Sequence, residues 1–116
     1  MLSLFWRAVT EMDPAAREQD ERDFPLCEPE ALRSAFESAG AESVTVRPIE
    51  VPARFASFED YWQTFLSGQG PAFSYLARLD AEARDDLRLG LAKILPLASD
   101  GSVNLSLRSW ALRARN

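Results

Sequence analysis

The chain contains no histidine, and that absence removes more chemistry than any single residue present supplies. Without imidazole there is no Ser-His-Asp or Cys-His nucleophilic arrangement and no histidine-based zinc site. Cysteine is nearly missing too. Cys27 stands alone, so no intrachain disulfide can form and no cysteine cluster can hold a metal. No run of about 18 apolar residues occurs, which excludes a transmembrane helix. The opening Met1-Leu-Ser-Leu-Phe-Trp is apolar, but Arg7 and Glu11 interrupt it soon after. It also lacks the basic n-region and small-residue cleavage site of a signal peptide, so the cytoplasm is the expected compartment. Basic residues are outnumbered 13 to 18, and the net charge of −5 argues against a nucleic-acid backbone as partner. Neither an internal repeat nor a low-complexity segment is present.

What remains is an ordinary globular composition, 47% hydrophobic and 27% charged, in 116 residues: enough for one domain with a real core. The most informative stretch is Ser57 to Pro71. Phe58, Tyr61, Trp62, Phe65 and Leu66 recur at the spacing of one helical face. Ser57 is placed to cap that helix, with Asp60 as an acidic variant of the capping-box partner. Gly68 is expected as a left-handed C-cap and Pro71 as the stop. Residues 2–12 form a second amphipathic helix through Leu2, Phe5, Trp6, Val9 and Met12. Asp13-Pro14 then opens a very polar helix reaching about Arg22, and Phe24-Pro-Leu-Cys27 reads as an extended apolar linker. The spacing predicts further helices over 29–39, burying Leu32, Ala35, Phe36 and Ala39, over 71–79, and over 81–95, with Asp80 as cap and Ala83, Leu87, Leu91 and Ile94 or Leu95 as its stripe.

Two strands are predicted, 43–51 and 103–113. Val44 and Val46 share a face, whereas Ile49 and Val51 lie on the other; Val103, Leu105 and Leu107 share a face, and Trp110 and Leu112 take the opposite one. An antiparallel pairing of Val44 with Leu112, Val46 with Trp110, Ile49 with Leu107 and Val51 with Leu105 lets both strands change buried face at one level without a bulge. A one-residue slip would expose every apolar side chain. Pro48 puts its strand at an edge or turns its missing N–H outward. The expected fold class is therefore α+β, about five helices and one antiparallel strand pair, in a single domain or domain fragment spanning 1–116 (an N-terminal helical segment 1–23, then 24–116). Two strands make a marginal sheet, as though part of a sheet were missing.

Catalytic signals are weak. Gly68-Gln-Gly70 follows a helix and lacks the third glycine of a nucleotide loop, so it reads as a helix stop. Glu59 and Asp60 are adjacent and point differently around their helix; Asp85 and Asp86 lie on a wet face. The aromatic residues are more informative. Phe58 and Phe65 suit the core, whereas Trp6, Tyr61 and Trp62 carry polar handles and suit the wall of a ligand pocket as well as a core.

The segment Phe24-Pro-Leu-Cys-Glu-Pro-Glu-Ala-Leu-Arg-Ser-Ala-Phe-Glu-Ser-Ala-Gly40 resembles the late helix of class I S-adenosylmethionine-dependent methyltransferases, in the ubiquinone/menaquinone-type branch. The resemblance continues through Val44-Thr-Val-Arg-Pro-Ile-Glu-Val51 and Ser57-Phe-Glu-Asp-Tyr-Trp62 to Leu105-Ser-Leu-Arg-Ser-Trp-Ala-Leu-Arg113, similar to that family's last strand. It implies the C-terminal portion of a Rossmann-like enzyme, the last two strands with inserted helices. The family's cofactor site, a glycine-rich loop after strand one and an acidic residue ending strand two, belongs to its first half and has no counterpart here. No cofactor is therefore expected for this chain alone, although the full-length family uses S-adenosylmethionine, and no catalytic residue is assigned. The resemblance implies that the chain walls an apolar or aromatic acceptor, with Trp6, Tyr61 and Trp62 facing it, and is inactive alone. The alternative is a non-catalytic binding module or homodimer that closes its open sheet edge with a second copy. An independent enzyme using Glu59 or Asp60 is a third reading.

Overall fold

A long two-stranded ribbon runs through the computed structural model, which describes residues 1–116, and helices gather at its two ends on opposite faces. In chain order the elements are α1 (Leu2–Met12), three short 3₁₀ turns (Pro14–Gln19, Glu21–Asp23, Pro25–Cys27), α2 (Pro29–Ser38), β1 (Glu42–Phe55), α3 (Phe58–Leu66), α4 (Pro71–Arg78), α5 (Ala81–Ile94) and β2 (Val103–Arg115). The α+β class and the single antiparallel strand pair are as the alternation of apolar residues predicts.

The core is helical. Phe5, Trp6 and Val9 of α1, Tyr61, Trp62 and Phe65 of α3, Ala72, Tyr75 and Leu76 of α4, and Leu87 and Leu91 of α5 close around one another, with Val103 of β2 at the base. Each helix contributes its i, i+3, i+4 face. Local chemistry sets the boundaries: Ser57 Oγ accepts from the Asp60 N–H (3.2 Å) at the start of α3, and Asp80 Oδ1 from the Ala83 N–H (2.8 Å) at the start of α5. Gly101, at φ 82°, turns the chain into β2.

The ribbon changes its covered face along its length, as expected. At one end Phe55 and Val103 face the helical core; at the other Val44 and Val46 face α2, whose Arg33 Nη1 donates to Val44 O at 2.5 Å. In the middle the cover is thin, and Ile49 and Val51 are 51% and 48% exposed.

Six expectations need correction. The register is displaced by two residues: Val46 opposes Leu112, Pro48 opposes Trp110, Ile49 opposes Ser109 and Val51 opposes Leu107. Alternation has period two, so a two-residue slide keeps every side chain on its face and the pattern cannot sense it. The slide follows from β1 running on to Phe55, which pairs with Val103 against the core. The ladder also carries an irregularity between Glu42 and Thr45, where Ser43 adopts φ 53°, a bulge absent from the expected ladder. The polar segment after Asp13 forms 3₁₀ turns instead of an α-helix, because Asp13 and Asp20 accept from the N–H groups two residues on, Ala15 and Arg22, and so compete with helical bonding. The linker after Phe24 likewise holds a 3₁₀ turn instead of staying extended. Finally, α2 buries none of its residues, and Phe36 is 43% exposed: two strands offer too little surface to cover its apolar face. At the end of α3, Gly68 is not left-handed; Ser67 is the C-cap and Gly70, at φ 96°, makes the turn.

The consequence is an open shape. The radius of gyration is 16.9 Å and the extents are 51 × 33 × 22 Å, against about 13 Å for the radius of a compact chain of this length.

Candidate functional site

The three aromatic candidates lie together in the core. Trp6 and Tyr61 are completely buried and Trp62 is 3% exposed. Phe5 links two of them: it meets Trp6 edge-on (5.3 Å) and stacks on Phe65 (4.7 Å), and Phe65 meets Tyr61 edge-on (5.1 Å). Burial alone pushes the Tyr61 phenol far above its usual range, and its hydroxyl donates to Met1 O at 3.2 Å. Tyr75 is pushed up to about 12, by burial first and then by the Asp13 carboxylate that accepts its proton at 3.1 Å. Both phenols are neutral donors at ordinary pH. None of the three candidates lines a surface cavity. Trp6 comes nearest, because its indole Nε1–H donates to Glu21 Oε2 (2.8 Å), and Glu21 does line one.

That cavity is an open cleft of about 510 Å³ between the start of α1, the 3₁₀ turns and β2. Leu2, Phe24 and Leu107 give it apolar walls; Glu21, Arg22 and Arg108 give it polar corners. The corners are already occupied. Arg22 forks onto Asp20 through Nε and Nη2, and Arg108 pairs with Glu50. Burial would raise the Asp20 carboxyl, but the Arg22 side chain, its backbone N–H and its charge outweigh that and hold it below the usual carboxylate range. This pair sits beneath the cleft and fixes the 3₁₀ segment against α1, where Arg22 Nη2 also reaches Thr10 Oγ1 (3.4 Å). The Cys27 thiol is exposed at the rim and donates to Glu21 O at 3.6 Å.

Sequence reasoning missed this cleft. Its residues come from three distant stretches, and the one local signal is Phe24 and Cys27 in a segment that reads as a linker. Chemically the cleft can hold an apolar or aromatic molecule of modest size.

The carboxylates singled out by sequence are elsewhere. Glu59 accepts from Gln63 Nε2 (2.8 Å) and pairs with Arg88, and these two contacts, in that order, hold it below the usual range on an exposed helix face. A general base needs the opposite shift. No group of His, Cys, Asp or Glu is arranged to hold a metal ion, and no helix is long and apolar enough to cross a membrane. No protein-family model, curated protein or solved structure matches the chain.

Proposed function

We propose that this chain is the C-terminal, acceptor-side part of an S-adenosylmethionine-dependent methyltransferase, inactive until a cofactor-binding half completes its sheet. The observation that carries the reading is the asymmetry of the two ribbon edges. Along β1, Pro48 and Pro52 share one parity within an unbroken ladder, so both missing N–H groups fall on the outer side. Prolines blunt an edge against further strands. Along β2, the 13 residues from Val103 to Arg115 contain no proline; a bridge to Leu97 occupies the outer edge at Val103, and no strand pairs with it beyond. That is the arrangement of a last strand returning beside an edge strand, with its other side meant for the rest of a sheet. The under-covered apolar face of α2 and the thinly covered middle of the ribbon fit the same account.

In this reading the acceptor lies in the cleft walled by Phe24 and Leu107, with Trp6 as the packed backing behind Glu21 and with Tyr61 and Trp62 holding α3 in place. Methyl transfer proceeds by direct attack of the acceptor on the sulfonium methyl, and this part supplies orientation and exclusion of water. A homodimer is the second reading, because a second copy can pair along the same β2 edge.

The coding sequence upstream of Met1 tests the first reading. It is expected to continue in frame into a glycine-rich strand–loop–helix, and the extended protein should bind S-adenosylhomocysteine in calorimetry while this chain alone gives no heat. An upstream sequence with no such unit, together with a concentration-dependent dimer in sedimentation, would transfer the conclusion to the second copy.

A further inference from the structure

Nine of the twelve arginines are engaged: each makes an ion pair or donates a side-chain hydrogen bond. The three that do neither are Arg47, Arg113 and Arg115, and they are neighbours. Thr45 opposes Arg113 in the ladder, Arg47 lies two residues along β1 and Arg115 two residues along β2, so all three side chains rise from one face at the α2 end of the ribbon. It is the face opposite to the one α2 covers. Two open clefts of about 200 and 320 Å³ lie among them, and the larger is lined only by Ser43, Thr45 and the three arginines.

Three like charges side by side repel one another unless something compensates them. The only carboxylate opposite them in the ladder is Glu42, facing Arg115, and it makes no ion pair and lines neither cleft. We propose that this face is an anion site for a small diphosphate-bearing molecule, gripped by Arg47, Arg113 and Arg115.

Guanidinium forks match phosphate oxygens bidentately, which lysine does not do. The bulge supports the site, because Ser43, held at φ 53°, brings its hydroxyl to the cleft beside that of Thr45. The Thr45 proton is committed to Arg113 O at 3.3 Å, so the donors left for an anion are the three guanidiniums and Ser43. Residues two apart on a strand are about 6.6 Å apart, so the arginines span more than one phosphate and suit two linked ones. A long polyanion is disfavoured, because the chain as a whole carries −5. A compact one feels mainly the local positive field, since exposed charges are screened beyond about 10 Å at 0.1 M salt. The site lies at the α2 end of the ribbon, shares no lining residue with the acceptor cleft, and does not depend on the methyltransferase reading.

Calorimetric titration with inorganic pyrophosphate, orthophosphate and a single-stranded oligonucleotide decides the matter. Pyrophosphate is expected to bind, more tightly than orthophosphate, and Arg113→Gln should weaken it by about tenfold or more. Arg108→Gln, on the same strand but the opposite face, should leave it unchanged. All three site arginines are exposed, so the Gln variants should retain the thermal midpoint. No heat with pyrophosphate from folded protein, equal losses in the Arg113 and Arg108 variants, or tighter binding of the oligonucleotide would each overturn the assignment.

Discussion

Replacing Trp6 by phenylalanine tests whether the indole holds α1 to the wall of the cleft. The substitution keeps an aromatic ring in the core but deletes the Nε1–H that donates to Glu21 at 2.8 Å. A hydrogen bond to a charged acceptor contributes about 1.5–3 kcal/mol. The low end applies, because Glu21 lines an open cleft where water can replace the lost donor. Shrinking a completely buried indole to a phenyl leaves a void costing about 1–2 kcal/mol more. The total, about 2.5–3.5 kcal/mol, is large against the roughly 6–17 kcal/mol available to a chain of this length. Urea unfolding followed by fluorescence reads it directly, since Trp62, only 3% exposed, remains as reporter. The midpoint should fall by roughly 2 M with an unchanged slope. A cycle with Glu21→Ala isolates the bond: the two changes should couple by about 1 kcal/mol or more, and agreement with additivity within about 0.3 kcal/mol would refute the tie.

Glycine substitutions should act in opposite directions. A Cβ on Gly68 would lie 2.9 Å from the Thr64 carbonyl oxygen, so Gly68→Ala should lower the thermal midpoint, whereas Gly90→Ala, with open space within α5, should stabilise by about 0.5–1 kcal/mol. Differential scanning calorimetry of the two variants side by side checks both signs. Asp20 sets an acid limit. Its folded pKa lies below the ordinary carboxylate value of about 3.9, so its contribution is present above that value and is lost as pH falls through the folded pKa. Chemical denaturation from pH 6 downward should therefore show a steeper acid loss for the native chain than for Asp20→Asn.

Much of the fold was legible because it rests on periodicity. The stripes of α1, α3 and α5, the caps Ser57 and Asp80, and the change of covered face along the ribbon follow from which residues are apolar and how they are spaced. Register was not legible, because an alternating pattern is blind to a two-residue slide and only the tertiary contact of Phe55 with the core sets it. Nor was the core role of Trp6, Tyr61 and Trp62: a polar handle serves a pocket wall and an internal hydrogen bond alike, and the partners Glu21 and Met1 are distant in sequence. The arginine cluster was invisible for the same reason. Arg47 is more than sixty positions from Arg113, and only the ladder brings them together.

The thinly covered middle of the ribbon also bears on how the molecule comes apart. Between the end clamped by the helical core and the end clamped by α2, the strands are joined by their ladder and the exposed Arg108–Glu50 pair, and α2 touches chiefly the ribbon and the 3₁₀ turn before it. The α2 end can open without disturbing the packed aromatics. Amide exchange should then report two cooperative units: a slow one in α1, α3 and α5, exchanging only by global unfolding, and a faster one comprising α2 and the strand segments around Val44 and Leu112. A strand added along the β2 edge would join the two units into one.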